Sequence, residues 1–284
     1  MTRKVLVPYD GSIQSENALA YALDAFPDYE ITVFHVVTSL AGRGAADGYE
    51  QAIAAGEKVA EEGAESAPEG RDIHTEAVYG RPVQEILEQV EDGGFDHVVM
   101  GSHGRDGASR LLLGSVAETV VRRAPVPVTV VRDGEDGTTN PERILVPFDG
   151  SELSEAALEH TLERYPEADV TALYVVYPPR DVMNTQVDIG GSLEAGDGED
   201  RVSETLAAAT EVGESVGREV STASVEGLPE EQIVAVVEDE EFDHVVMGST
   251  GREGFERLLL GSVAETVVRR SPVSVTIAVS EVET

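Results

Sequence analysis

The chain has 284 residues, 41% of them hydrophobic, and carries a formal net charge of −35 from 55 acidic against 20 basic residues. That length suggests two domains, and the apolar content excludes a disordered chain. The absence of cysteine excludes disulfides, thiolate metal sites and cysteine nucleophiles, and the acidic surface speaks against binding nucleic acid or anionic membranes.

The charge is unusual in kind as well as size. Lys4 and Lys58 are the only lysines, and the other basic residues are arginine. Self-repulsion on this scale destabilises a compact state unless salt screens it. A salt-loaded cytoplasm, as in extreme halophiles, is therefore expected. No apolar run approaches a membrane span, and Met1-Thr-Arg-Lys-Val enters a run of strand length rather than a signal peptide. A cytoplasmic location is the expectation.

In chain order, Val5–Pro8 reads as a buried strand and Ser15–Ala25 as a helix stopped near Pro27. Ile31–Val37 is a second strand, Tyr49–Glu65 an Ala- and Glu-rich helix, and Ile73–Tyr79 a third strand. Pro82 opens a helix to about Glu91. Asp96–Gly101 is a fourth strand, Ser115–Arg123 a helix and Val126–Val131 a fifth strand. Alternation of this kind implies parallel pairing through crossover helices. The unbroken apolar character of the strands implies cover on both faces.

The same order then repeats. Lys4-Val-Leu-Val-Pro-Tyr-Asp-Gly-Ser12 recurs as Arg143-Ile-Leu-Val-Pro-Phe-Asp-Gly-Ser151, and the block Phe95–Arg123 recurs as Phe242–Arg270. Second-half strands are expected near Ile144–Pro147, Val170–Val176, Glu219–Val225, Asp243–Gly248 and Val273–Ala278. The second copy carries extra residues, assigned to a surface loop at Pro178–Asp200. Polar, glycine-bearing Asp133–Pro141 reads as a linker. The expected division is a first domain 1–133, a linker 134–141 and a second domain 142–284. The fold class is α/β: two tandem open five-stranded parallel sheets with helices on both faces. In such sheets ligands bind beyond the carboxyl ends of the strands, where strand order reverses.

The chemistry concentrates there. Gly101-Ser-His-Gly104 is followed, nine residues on, by Gly114-Ser115; Gly248-Ser-Thr-Gly251 is followed at the same spacing by Gly261-Ser262. Glycines let backbone approach a ligand, and a helix opening on Gly-Ser offers unpaired amides and a positive dipole end. Glycine loops of this kind are anion sites. The competing reading is plain: Ser115 with Glu118, and Ser262 with Glu265, have capping-box spacing that needs no ligand. Asp10 and Asp149 follow strands in Asp-Gly-Ser and serve either a ligand or a turn. Arg105 or Arg110, matched by Arg252 or Arg257, could touch a phosphate or lie in solvent. Arg122-Arg123 and Arg269-Arg270 most simply complement their helix dipoles. His35 becomes Tyr174 and His103 becomes Thr250, so no catalytic histidine is shared. His97 and His244 do repeat, and read as structural. The lysine-bearing phosphate loop Gly-x4-Gly-Lys-Ser/Thr is absent.

The doubled Gly-x2-Gly-x9-Gly-Ser pattern, the Val-Leu-Val-Pro-Tyr-Asp-Gly-Ser opening and the His35-Val36 strand resemble the universal stress protein family, in tandem. The likeness covers nearly the whole chain apart from the linker and 178–200, and the acidity resembles that of haloarchaeal proteins. The resemblance implies the adenine nucleotide alpha hydrolase-like fold, with strand order 3-2-1-4-5 in each half. It is closer to the family's ATP-binding branch. By motif it places Pro8, Tyr9, Asp10 and Val36 at adenine, and Met100, Gly101, Gly104, Gly114, Ser115 and Val116 at ribose and phosphates. The second set is Pro147, Phe148, Asp149 and Val175, then Met247, Gly248, Gly251, Gly261, Ser262 and Val263. Arg105 and Arg252 are the candidate phosphate cations. ATP or another adenine nucleotide, with Mg2+ or Mn2+, is the implied cofactor, and a stress or signalling role with little turnover the implied function. A slow ATPase or nucleotidyl transferase, and a partner-binding protein with empty sites, are the alternatives. Family members pair through their last strands, so Val126–Val131 and Val273–Ala278 are expected to meet in an intramolecular pseudo-dimer, with further homo-oligomers open.

Overall fold

The structure is a computed structural model that describes residues 2–39, 45–103, 113–132, 140–177, 196–249 and 260–279. The first half runs β1 (Lys4–Pro8), α1 (Ile13–Ala25), β2 (Glu30–Val37), α2 (Ala45–Ala64), β3 (Ile73–Tyr79), α3 (Pro82–Gly93), β4 (His97–Gly101), α4 (Ser115–Arg123) and β5 (Val128–Val131). The second half runs β6 (Arg143–Pro147), α5 (Glu152–Arg164), β7 (Asp169–Val176), α6 (Gly196–Ser215), β8 (Ser221–Glu226), α7 (Pro229–Asp239), β9 (His244–Gly248), α8 (Ser262–Arg270) and β10 (Ser274–Ala278). The segment expected to be a loop through Asp200 is helical from Gly196 onward. Periodicity decides this: Val202, Leu206, Ala209 and Val212 lie three and four residues apart, and Ala209 is buried under the sheet.

All strands lie in one sheet, ordered β3-β2-β1-β4-β5-β10-β9-β6-β7-β8. Each half has the order 3-2-1-4-5 and parallel pairing throughout. The expected pairing of the last strands is present and antiparallel, with Thr276 opposite Thr129 and Val275 opposite Val130. It turns two five-stranded sheets into one of ten strands and leaves β3 and β8 as the outer edges. Pro127 and Ser274 occupy equivalent positions, and the difference is used: Ser274 Oγ accepts the Arg132 amide at 3.1 Å.

The two faces of the sheet meet the seam differently. On the face covered by α3, α4, α7 and α8, one apolar core runs unbroken from the first half into the second, from Leu6, Phe34 and Val130 to Val275, Leu145 and Leu173. On the other face each half has its own core, one under α1 and α2 and one under α5 and α6. Between those two cores sits a polar and aromatic seam. His97 Nε2 is bonded to Thr129 Oγ1 (2.8 Å), Thr129 to Thr276 (2.7 Å), and Thr276 to His244 Nε2 (2.9 Å). Tyr21 stacks on His244, and its hydroxyl meets that of Tyr165 at 2.8 Å. His160, the counterpart of Tyr21, stacks on His97. Both repeating histidines are therefore structural, as their place at the head of a buried strand implied. Burial holds all three imidazoles neutral: His97 well below the ordinary histidine value, His160 at about 4 and His244 at about 3.

Across the other face, Arg122 reaches Glu265 at 3.0 Å and Arg269 reaches Glu118 at 3.6 Å, while each arginine also pairs with the glutamate one turn back on its own helix. These two arginines thus join the halves as well as complementing helix dipoles. Arg132 donates to the carbonyls of Val268 and Arg269 and so closes the carboxyl end of α8.

Candidate functional site

Strand order reverses on either side of β1 and again on either side of β6. The ends of β1, β2 and β4 therefore open a crevice in the first half, as those of β6, β7 and β9 do in the second. Two of the helix starts that bound each crevice, those of α1 and α4 and of α5 and α8, are built differently.

At α1 the turn closes on itself. Asp10 Oδ1 accepts the Ser12 amide at 3.0 Å, Gly11 takes φ +72°, and the Ser12 hydroxyl accepts the Ser15 amide. Asp149, Gly150 (φ +73°), Ser151 and Ser154 repeat this arrangement at α5. The left-handed φ explains why glycine stands between aspartate and serine. One oxygen of each aspartate thus serves the turn, while Asp149 also lines the crevice.

At α4 and α8 the residue at the helix boundary is Gly114 or Gly261, in extended conformation and making no side-chain cap bond. Ser115 and Ser262 are the first helical residues, one position too late to cap, so the expected capping boxes do not form. Their glutamates, Glu118 and Glu265, turn instead to Arg122 and Arg269. The amides of Gly114 and Gly261 are used within the protein, donating to Ser102 and Ser249 at 2.7 Å and pinning the two ends of each glycine loop together. The next three amides of each helix have no preceding carbonyl of their own helix, and the boundary glycine offers them no side chain. That leaves a concentrated positive dipole end facing the crevice.

Gly101 and Gly248 also have a reason besides the one the pattern suggests. A Cβ on Gly101 would stand 2.8 Å from the Gln14 backbone, and one on Gly248 would stand 2.8 Å from Leu153 O. Glycine here lets the first turn of α1 or α5 pack against the strand end, whether or not a ligand lies nearby.

In the second half the crevice is a cavity of about 650 Å³. Pro147, Phe148, Asp149, Val175, Met247, Gly248, Gly261, Ser262 and Val263 all line it. These are all the described members of the second expected set. Gly251, Arg252 and Arg257 lie outside the described residues, as do Gly104, Arg105, Arg110 and most of the linker. In the first half Pro8, Tyr9, Asp10, Val36, Met100, Gly101, Gly114, Ser115 and Val116 stand at the equivalent strand ends and helix start. The Tyr9 ring packs in the core under α2 and is 7% exposed, and Phe148 is 2% exposed, so these two contribute mainly backbone. His35 Nδ1 meets Tyr9 O at 2.7 Å and fixes that backbone in the first half only.

Sequence reasoning missed the outer wall of the cavity: Tyr174 and Tyr177 at the end of β7, and Leu228, Pro229, Glu230 and Ile233 at the start of α7. Proline at the head of α7 was a signal for a helix start on this edge. Its first-half counterparts are Arg81, Pro82, Val83 and Ile86, so the two sites differ most on this wall. Among the described lining residues there is no cation; Asp149 and Glu230 are the charged ones.

A model of the Universal stress protein family matches residues 1–132 and again residues 141–278. A universal stress protein of Mycobacterium tuberculosis strain H37Rv is 31% identical over 96% of this chain and 96% of its own length. One from Methanocaldococcus jannaschii is 34% identical over 46% of this chain and 82% of its own. Among solved structures, a universal stress protein from Archaeoglobus fulgidus superposes with a TM-score of 0.73 at 28% identity, covering 97% of both chains.

Proposed function

Because the chain belongs to the universal stress protein family, twice over, we propose that it is a stress-response or signalling module that holds an adenine nucleotide, ATP foremost, at two similar sites with little turnover. One observation carries this reading. Nine residues singled out by the doubled glycine pattern and its family resemblance converge on a single cavity of about 650 Å³ at an uncapped helix start. Its volume falls within the ordinary range for small-molecule sites, about 300–1,000 Å³. Apolar Pro147 and Val175 suit an adenine face, with Asp149 near the amino group. The amides of Ser262, Val263 and Ala264 suit phosphate oxygens.

The carboxylates on the cavity wall repel a triphosphate. A Mg2+ or Mn2+ ion accompanying the nucleotide, held largely by phosphate oxygens and water, offsets that repulsion. The high acidity fits a salt-loaded cytoplasm, and among the described residues no helix is long and apolar enough to cross a membrane.

The test is calorimetry of the full chain with ATP, AMP and cyclic AMP in molar KCl with MgCl2, beside mass spectrometry of nucleotide released from freshly purified protein. Saturable binding with phosphate release well below about 1 s⁻¹, an ordinary enzyme rate, is expected. Faster release makes the protein an ATPase; neither bound nucleotide nor binding heat leaves the partner-binding alternative.

A further inference from the structure

At the opposite edge of the sheet, by the amino ends of the strands, three side chains meet that the nucleotide reading does not use. Glu30 opens β2, Asp72 immediately precedes β3, and His74 lies two residues further along. Parallel register sets Ile31 opposite Ile73 and Thr32 opposite His74, which brings Glu30 beside Asp72. Side chains alternate along a strand, so Asp72 and His74 project from the same face, with Glu30 next to them.

The distances suit a shared cation. His74 Nε2 lies 3.4 Å from Glu30 Oε1 and 3.5 Å from Asp72 Oδ1, and one ligating atom from each residue falls within 4.8 Å of the others. A charge-assisted hydrogen bond is shorter, about 2.7–2.9 Å. Ligands about 2.1 Å from a tetrahedral zinc ion are separated by about 3.4 Å, the edge of that tetrahedron. We propose that Glu30, Asp72 and His74 form a binding site for one divalent cation of the zinc class, with water in the remaining position. Imidazole with carboxylates selects Zn2+ or Co2+ over Mg2+, which prefers oxygen ligands and octahedral geometry. The ligands are already juxtaposed on paired strands, and the chain's negative field concentrates cations around them.

The repeat supplies an internal control. The equivalent positions in the second half are Asp169, Glu219 and Ser221. Both carboxylates are kept and the imidazole is absent, so one zinc-class ion per chain is expected rather than two. The bound ion ties outer-edge strand β3 to its neighbour, and it lies across the sheet from the nucleotide cavity.

The experiment titrates Co2+, then Zn2+, into chelator-stripped full-length protein in molar KCl, with excess MgCl2 occupying weak carboxylate sites and no nucleotide present. The expected result is a saturable visible absorption band at one Co2+ per chain, stronger than that of the hydrated ion and abolished by Zn2+. His74→Gln is expected to remove the band and weaken Co2+ binding at least about tenfold. Asp72→Asn and Glu30→Gln should each weaken it, with the far-ultraviolet circular dichroism of all three variants unchanged. Absence of a one-to-one band above the Mg2+ background, or a band that survives His74→Gln in a folded variant, overturns the proposal.

Discussion

Two of the helix starts at each crevice differ by one residue. At α1 and α5 a serine sits at the boundary and satisfies the amide three residues on. At α4 and α8 a glycine sits there with no side chain to cap with, while the serine comes one position later. A capped start is complete in itself. An uncapped start beside a cavity keeps its first amides for something else, and the chain makes this distinction identically in both halves.

The comparison is broken most sharply by giving α8 the cap it lacks. Gly261 has φ −66° and ψ 155°, which any residue can adopt. In Gly261→Asp the new carboxylate should occupy the first amides and repel phosphate. ATP affinity at the second site is expected to fall about 100-fold, read by calorimetry, with a smaller loss of apoprotein stability, because a Cβ at the equivalent Gly114 would stand 3.1 Å from His103 Cα. A mutation at the seam tests the polar connection between halves. Thr276→Val removes the hydroxyl shared by Thr129 and His244 and should lower unfolding free energy by about 2 kcal/mol in urea melts. Removing the cap at the other kind of start is milder. Ser151→Ala should cost about 1 kcal/mol of stability and leave the α8 amides untouched.

The buried imidazoles predict a pH dependence of definite sign. Their folded values lie below that of an unfolded histidine, about 6.5. Below that pH the unfolded chain binds protons that the folded chain refuses, so the imidazole contribution to stability falls as pH drops from about 7 toward 4, the folded value of His160, and is constant above 7. Urea midpoints at pH 7 and 5 measure the slope, and His160→Phe should make it shallower. The smallest effect belongs to the arginine–glutamate cluster between α4 and α8. These groups are about one-third to one-half exposed, so Arg122→Ala should cost no more than about 1 kcal/mol, and less in molar salt.

Much of this was legible in the sequence because the governing rules are local. β3 and α4 match the expected bounds, and the other elements anticipated from the sequence differ by a few residues at their ends, because β-branched runs, Pro82 and the Asp-Gly-Ser turns act over a few positions. The repeat offset also exposed the equivalence of the two crevices. What escaped depended on distant partners. Ser-x-x-Glu reads as a capping box at either register, and only the structure shows Glu118 engaged by arginines on two helices. The glycine pattern does not show that Gly101 is also required by the close approach of Gln14, far back in the chain. The sequence marks His97 and His244 as structural, yet Thr129 and Thr276 join them only because the last strands pair antiparallel. The cavity's outer wall at Glu230 and Tyr177 carries no repeated motif, and the first half has Val83 and Thr38 in their places.

The most direct measurement is the ATP stoichiometry of the wild-type chain and of Gly261→Asp, by calorimetry in molar KCl with MgCl2. Two nucleotides per wild-type chain and one per variant chain are predicted. No binding to the wild type, or an unchanged stoichiometry and affinity in the variant, would contradict the claim that uncapped helix starts hold the phosphates.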